Sequence, residues 1–216
     1  MLMSHSIRDV FFCAYIFMPT FLRRGVGGIS LERKKLQLLL EIAILGAISF
    51  VLDQIGITAP QGGSITLSML PIIVMAFRRG IGAGMLTGLT SGVLQMITAG
   101  RVYHIVQAAL DYLVAYTLVG LAALTIGWLL SSKAKGNKKS MVTAIVVGTV
   151  IGGLLRYFIH FAGGMYFFGS YAPEGQPVWL YSLLYNGGYM IPSIILSAIV
   201  ASLLFTTAPR LLQPQS

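Results

Sequence analysis

The sequence is poor in charge and almost without cysteine. Asp, Glu, Lys and Arg together make up 10% of the residues, hydrophobic residues make up 56%, and the mean hydropathy is +0.82. A chain this apolar is not an ordinary soluble domain. Cys13 is its one cysteine, which excludes an internal disulfide framework and a multi-cysteine metal site. The low share of charged residues and the high mean hydropathy indicate an integral membrane protein.

Motifs for catalysis and for nucleotide binding are also missing. The sequence contains no G-x-x-x-x-G-K-[ST], no H-E-x-x-H and no G-x-S-x-G. We also expect no pair of carboxylates within the membrane. The sequence therefore lacks the residues that hydrolysis and metal catalysis require. The two similar halves of many secondary transporters are not evident either. We therefore expect a binding subunit that is not an enzyme and needs no cofactor, and any ATP use would belong to a partner.

The apolar residues fall into segments typical of membrane helices, although some are shorter than the roughly 20 residues that a crossing needs. The 25 glycines suit helices that pack closely in lipid. The pattern predicts an all-α integral membrane protein, a bundle of six transmembrane helices. The six segments are 37–57, 66–77, 81–98, 104–130, 141–168 and 179–206.

The net charge of +9 comes from basic clusters that lie in alternate loops. By the positive-inside rule these loops are cytoplasmic, which places the N and C termini inside the cell. The charge is therefore interpreted as a topology signal and not as a nucleic-acid surface. The clusters are Arg33, Lys34 and Lys35; Arg78 and Arg79; Lys133, Lys135, Lys138 and Lys139; and Arg210.

Residues 1–30 do not join this pattern. They hold an apolar stretch too short for an ordinary span and without a small-residue cleavage site, so a signal peptide is a weak interpretation. Two hypotheses stand: an interfacial helix, or a translation start assigned too early. We treat 1–30 as an N-terminal extension of unknown role and 31–216 as the membrane domain.

One aspartate stands in the middle of a stretch that otherwise has the pattern of a membrane-spanning helix. A charged residue at a helix centre costs about 2.5–3.5 kcal/mol on insertion scales, so Asp111 is a candidate functional residue. Counted from the outer helix ends, Asp111, His160, Tyr181 and Asn186 lie at one depth on three helices. Aromatic residues surround this level, and an acid beside ring faces suits an organic cation. The alternative is a structural ion pair between Asp111 and Arg156.

Four sequence blocks resemble a known family. They are MLPIIVMAFRRGIGAGMLTGLTSGVLQMITAG, QAALDYLVAY, RYFIHFAGGMYFFGSYAPEG and YSLLYNGGYMIPS, which occur in this order within residues 37–206. Together they are similar to the thiamine-specific substrate-binding components, or S components, of energy-coupling factor vitamin transporters. The resemblance implies a six-helix protein that binds thiamine from outside. It also implies partners, namely a transmembrane coupling protein and two cytoplasmic ATPases, in the bacterial plasma membrane.

The resemblance also implies roles for individual residues. The family's acidic ligand falls on Asp111, with polar contacts from His160 and Asn186 and a close-packed glycine at Gly164. Two positions depart from the family, since Phe168 and the stretch PQGGS near Gly62 stand where tryptophans are expected. The residues that would offer stacking faces to thiamine are Tyr103, Phe168, Trp179 and Tyr181.

The resemblance finally implies a surface for the coupling protein. Ala43 and Ala47 match a small-residue motif of the first helix at that contact, and the same spacing would let any helix pack closely. Two alternatives stay open for the function. One is an S component for another vitamin or a thiamine precursor, and the other is a proton-coupled secondary transporter using Asp111 with Arg156 or His160.

Overall fold

The computed structural model describes residues 28–60, 62–98 and 104–212. The predicted ligand residue Tyr103 and nearly all of the extension 1–30 lie outside the described residues. The chain divides by its internal contacts into two units, Met1–Leu39 and Leu40–Ser216. In the first unit the structure describes only the beginning of one helix.

Helices make up most of the described chain, because in lipid the backbone N–H and C=O groups must be paired within the segment itself. One two-stranded antiparallel hairpin, β1 and β2, follows the first helix. Short 3-10 turns occupy Gly169–Tyr171 and Pro209–Leu212. The elements are α1 Gly28–Gln54, β1 Ile57–Thr58, β2 Ser64–Ile65, α2 Met69–Arg79, α3 Ile81–Thr98, α4 Ile105–Ala134, α5 Lys138–Phe167 and α6 Val178–Thr207.

The predicted all-α membrane architecture is confirmed. Within the described residues, α1 from Glu32 onward and α3 to α6 are long and apolar enough to cross a membrane. The element α2 has only 11 residues, and side chains such as Ile72 and Phe77 are completely buried in the core. The count of six spans and the cytoplasmic termini stay predictions, because α2 is shorter than an ordinary span.

Glycines bring α3 directly against α4. Gly84, Gly88 and Gly92 recur every four residues and so lie on one face of α3. A Cβ on Gly88 would collide with the carbonyl of Tyr116, and one on Gly92 with the carbonyl of Tyr112. Because these two tyrosines lie on α4, the glycine face sets the position of the α4 segment that carries Asp111.

An ion-pair cluster joins α1 to the end of α2. The Glu41 carboxylate lies 2.8 Å from Nε of Arg79 and 3.3 Å from Nη2 of Arg78. Arg78 also donates from Nη1 to the carbonyl oxygen of Leu211 at 3.1 Å. The α2–α3 turn is therefore held to both ends of the Leu40–Ser216 unit.

Candidate functional site

A cavity of about 840 Å³ lies within the Leu40–Ser216 unit. Its walls come from the end of α1, the β1–β2 hairpin, α3, α4, α5, the loop after α5, and α6. The volume lies in the range of small-molecule sites, about 300–1,000 Å³. Its ionisable lining residues, apart from tyrosines, are Asp53, Asp111, Arg156 and His160.

Asp111 lies on a π-helical turn of α4. The turn covers Ala109–Val114, and such wide turns inside α-helices are frequent at functional sites. Gln107 donates from Nε2 to Asp111 Oδ2 at 2.6 Å, and His160 Nδ1 lies 3.3 Å from Asp111 Oδ1. The Asp111 side chain keeps 15% of its surface exposed. Each carboxylate oxygen is thus oriented by one protein group and retains a lone pair for a ligand.

The α5–α6 contact orients Asn186. A Cβ on Gly164 would collide with Ser182 and lie 2.9 Å from Nδ2 of Asn186, so only glycine lets the two helices approach this closely. Asn186 donates from Nδ2 to the carbonyl of Ser182 at 2.8 Å and accepts from the Tyr189 hydroxyl at 2.5 Å. Its carboxamide is therefore held in one orientation at the cavity wall.

Three tyrosines of α6 form an aromatic wall. Tyr181, Tyr185 and Tyr189 recur every four residues and therefore share one helix face. The rings of Tyr181 and Tyr185 are stacked at 5.7 Å, and those of Tyr185 and Tyr189 meet edge to face at 6.1 Å. Phe168 and Tyr171, whose rings lie 6.2 Å apart, line the same cavity from the loop after α5. Ring faces of this kind attract cations.

The hairpin loop covers part of the tyrosine wall with backbone. Tyr185 donates from its hydroxyl to the carbonyl of Gly62 at 2.8 Å. Gly63 has φ of +80°, and a Cβ there would lie 2.5 Å from the Tyr189 ring. A side chain at Gly63 would thus be strained and would clash. At the point where the family resemblance led us to expect a tryptophan, the loop instead approaches the rings through its glycines.

Two features differ from what the sequence led us to expect. Asp53 is a second carboxylate at the cavity that the sequence analysis did not single out, and it accepts from the Tyr116 hydroxyl at 3.0 Å. The alternative of an Asp111–Arg156 ion pair is not what the structure has. Arg156 donates from Nη2 to the Tyr116 hydroxyl at 2.7 Å, whereas Asp111 contacts His160.

Most of the predicted ligand residues lie at one cavity. Trp179 is not among its lining residues and is 54% exposed, and Tyr103 is outside the described residues. On α1, Ala43 and Ala47 are both exposed. No group of three or more His, Cys, Asp or Glu side chains able to hold a metal ion occurs in the described parts of the chain. The predicted residues that line the cavity are Asp111, His160, Gly164, Phe168, Tyr181 and Asn186.

Some lining residues were missed from the sequence although it contained signals for them. Tyr189 extends the four-residue spacing of Tyr181 and Tyr185, and Gln107 precedes Asp111 by one helical turn. Asp53 lies in the first apolar segment, close to its predicted outer end, where an acid is easily attributed to the interface. The spacings of Tyr189 and Gln107 could therefore have been recognised without the structure.

Comparison with known proteins gives one family. The family model described as "Thiamine transporter protein (Thia_YuaJ)" matches residues 39–213. The thiamine transporter ThiT of Bacillus subtilis (strain 168) is 43% identical over 186 residues, covering 84% of this chain and 97% of that protein. ThiT of Lacticaseibacillus paracasei is 36% identical over 189 residues, covering 83% of this chain and 92% of that protein.

Solved structures share the architecture. ThiT from Listeria monocytogenes superimposes with a TM-score of 0.78 at 32% identity, covering 84% of this chain and 100% of that chain. The S component of a bacterial ECF transporter superimposes with a TM-score of 0.55 at 20% identity, covering 82% of this chain and 98% of that chain. At that lower identity the likeness shows the fold alone.

Proposed function

Because the chain belongs to the thiamine transporter protein family, we propose that it binds thiamine in the cavity between the hairpin and α4 to α6. Thiamine carries a permanent positive charge on its thiazolium ring, and its aminopyrimidine ring donates and accepts hydrogen bonds. The ligand is therefore cationic and flat. The cavity offers a carboxylate, an amide and several ring faces, which are the groups that such a ligand needs.

The observation that carries the proposal is the setting of Asp111. Its carboxylate is held between Gln107 and His160 at the cavity wall, with Asn186 and the tyrosine wall of α6 lining the same space. A carboxylate in a membrane span is costly unless it has a partner. A bound cation supplies the full counter-charge that the neutral amide of Gln107 does not.

The test is a calorimetric titration of the purified protein with thiamine. We expect submicromolar binding, weakened at least about tenfold, or about 1.4 kcal/mol, by Asp111→Asn, which keeps the size and removes the charge. Glu174→Gln is the matched control, because it makes the same chemical change at an exposed loop position that does not line the cavity. Absence of thiamine binding by the unaltered protein would contradict the proposal, as would equal affinities of the Asp111 variant and the control.

We propose further that the chain is the S component of an energy-coupling factor transporter in the bacterial plasma membrane. Its partners would be a transmembrane coupling protein and two cytoplasmic ATPases, which would supply the ATP-binding motif that this sequence lacks. The exposed stripe of Ala43 and Ala47 on α1 would contact the coupling protein, since small residues let helices approach closely in lipid.

The partner proposal is tested by separating binding from uptake. Ala47→Leu is expected to leave thiamine affinity unchanged and to lower uptake by the assembled transporter at least about tenfold. Ile44→Leu is the control, because Ile44 is an exposed aliphatic residue on the same helix. Thiamine uptake into liposomes by this protein alone, driven by a proton gradient, would instead favour the secondary-transporter alternative.

The membrane topology is part of the same proposal. All six helices α1 to α6 would cross the membrane or line its interior, with both termini in the cytoplasm and the cavity open to the outside. The support is the charge bias of the helix ends and loops, in particular Arg78 and Arg79 in the last turn of α2. Residues 31–216 would form the membrane domain, with 1–30 as an extension.

A further inference from the structure

Arg156 is a buried cation at the wall of the cavity. It lies on the membrane helix α5 and is only 6% exposed. None of the ion pairs among residues 28–60, 62–98 and 104–212 includes it. A buried charge without a counter-charge is costly, so the groups that balance Arg156 must be sought through its hydrogen bonds.

Two hydrogen-bond relays connect Arg156 to Asp53 at the end of α1. In the shorter relay, Arg156 Nη2 donates to the Tyr116 hydroxyl at 2.7 Å, and this hydroxyl donates to Asp53 Oδ1 at 3.0 Å. The longer relay passes through the segment between β2 and α2, where Arg156 Nη1 donates to Ser68 Oγ at 3.4 Å. Ser68 Oγ lies 2.7 Å from Thr66 Oγ1, which donates to Asp53 Oδ1 at 3.3 Å. Both relays therefore end on the same carboxylate oxygen.

The chemistry of the two ends fixes the direction of every hydrogen bond in the relays. A guanidinium nitrogen can only donate, and a carboxylate oxygen can only accept. Each hydroxyl between them therefore accepts from the Arg156 side and gives its one proton toward Asp53. The guanidinium carbon also lies 3.9 Å from the centre of the Tyr116 ring, a cation–π contact. Asp53 is thus the counter-charge of Arg156, acting through hydroxyl groups that are themselves buried.

The relays matter for binding because Arg156 and Asp111 are near neighbours. One imidazole ring separates them, since His160 Nδ1 lies 3.3 Å from Asp111 Oδ1 and Arg156 Nε donates to His160 Nε2 at 3.4 Å. An arginine that lost its counter-charge would turn toward the other carboxylate, because guanidinium and carboxylate groups match in charge and in geometry. A direct ion pair with Arg156 would occupy the acid that is proposed to receive the positive charge of the ligand.

We propose that Asp53 is a positioning residue for ligand binding, which holds Arg156 through the two relays and so keeps Asp111 available to a ligand with a single positive charge. The two acids among the described lining residues then have separate partners. Asp53 balances the cation of the protein itself, and Asp111 balances the cation of the ligand. The identity of the ligand as thiamine rests on the proposed function, whereas the position of Arg156 does not. Neither Asp53 nor Arg156 needs to touch the ligand.

The first measurement is a pair of crystal structures without ligand, one of the unaltered protein and one of Asp53→Asn. Asparagine keeps the size of the side chain and an acceptor oxygen, and it removes the charge. In the unaltered protein we expect Arg156 on the Tyr116 hydroxyl. In Asp53→Asn we expect the guanidinium within about 4 Å of the Asp111 carboxylate, the distance of a direct ion pair. An Arg156 that keeps its contacts to Tyr116 and Ser68 in the variant would overturn the proposal, whatever thiamine does.

The second measurement compares thiamine with its neutral isostere, in which a carbon atom replaces the positively charged nitrogen of the thiazolium ring. In calorimetric titration of Asp53→Asn, thiamine affinity should fall at least about tenfold, because Arg156 competes with the ligand for Asp111. Affinity for the neutral isostere should change by less than about threefold, because this ligand brings no charge for Asp111 to balance. A general disturbance of the cavity would weaken both ligands alike, so equal losses for the two would overturn the proposal.

A variant that keeps both charges separates the position of Arg156 from its charge. Tyr116→Phe removes the shorter relay, so thiamine affinity should fall at least about threefold, again with a smaller loss for the neutral isostere. Tyr166→Phe is the matched control, because it makes the same chemical change at an exposed residue that does not line the cavity. Thiamine binding by Tyr116→Phe as tight as that by the control would overturn the role of the relays.

A rescue variant tests whether Arg156 is the competitor. Adding Arg156→Met to Asp53→Asn removes the buried cation together with its counter-charge, a change that buried ion pairs often tolerate. The double variant should bind thiamine at least about fivefold more tightly than Asp53→Asn does. A double variant that binds no better than Asp53→Asn would show that Arg156 is not what blocks Asp111, and the proposal would fail.

The outcomes separate this proposal from the proposed function. Failure of the unaltered protein to bind thiamine would contradict the proposed function, and the two crystal structures would still decide the role of Asp53. Thiamine binding that Asp53→Asn leaves unchanged would contradict the role of Asp53 and leave the proposed function standing. If Asp53→Asn does not fold, Tyr116→Phe takes its place in both measurements, with the same expected and contrary results.

Discussion

A single methyl group placed between α5 and α6 should weaken ligand binding. The change is Gly164→Ala. The added Cβ would collide with Ser182 and lie 2.9 Å from Nδ2 of Asn186. An ordinary contact is about 3.5 Å, so the Asn186 carboxamide would have to move by roughly half an ångström, or the helices would have to separate.

The magnitude follows from what Asn186 would lose. Its Nδ2 donates to the carbonyl of Ser182 at 2.8 Å, and its Oδ1 accepts from Tyr189 at 2.5 Å. The free protein can relieve the clash by letting the carboxamide shift, but a ligand bound to Asn186 requires it in place. Overpacking costs about 1–3 kcal/mol, so the dissociation constant for thiamine should rise about fivefold to about 150-fold.

The assay is calorimetric titration with thiamine, and Gly188→Ala is the matched control. Gly188 is an exposed glycine of α6, and a Cβ there would meet nothing within 4 Å. The control should therefore keep its affinity, because alanine in a helix is if anything favourable. If Gly164→Ala binds thiamine as tightly as Gly188→Ala does, Asn186 is not positioned by this contact and the reasoning is refuted.

Two further substitutions separate the site from the scaffold. Tyr189→Phe keeps the ring and leaves Asn186 Oδ1 without its hydrogen-bond donor. Thiamine affinity, measured by titration, should therefore fall by about 1–3 kcal/mol. An unchanged affinity would count against the role of this hydrogen bond. Glu41→Gln weakens the contacts to Arg78 and Arg79, none of which lines the cavity. The free energy of unfolding, measured by thermal unfolding, should fall by about 1 kcal/mol. A loss of thiamine affinity would show that this ion-pair cluster is coupled to the site.

Part of the site could be predicted because counting residues from the end of a membrane helix gives the depth of each residue in the membrane. Asp111, His160 and Asn186 were placed at one level by counting residues from the predicted helix ends, and all three line one cavity. The family resemblance led us to expect Trp179 beside them as a stacking face, but a residue's depth does not say which way its helix face points. Trp179 is 54% exposed and lies outside the cavity lining.

The membrane character and the positions of the long apolar helices were determined by the sequence alone, because transfer into lipid depends on apolar residues summed over a local window. The partners of the polar residues were decided only by the tertiary structure. The π-helical turn at Asp111, the contact of Asp111 with His160 in place of Arg156, and the link from Arg156 through Tyr116 to Asp53 all depend on how α1, α4 and α5 are rotated against one another. That rotation is set by packing between residues far apart in sequence, such as Gly92 of α3 against Tyr112 of α4, and no local pattern specifies it.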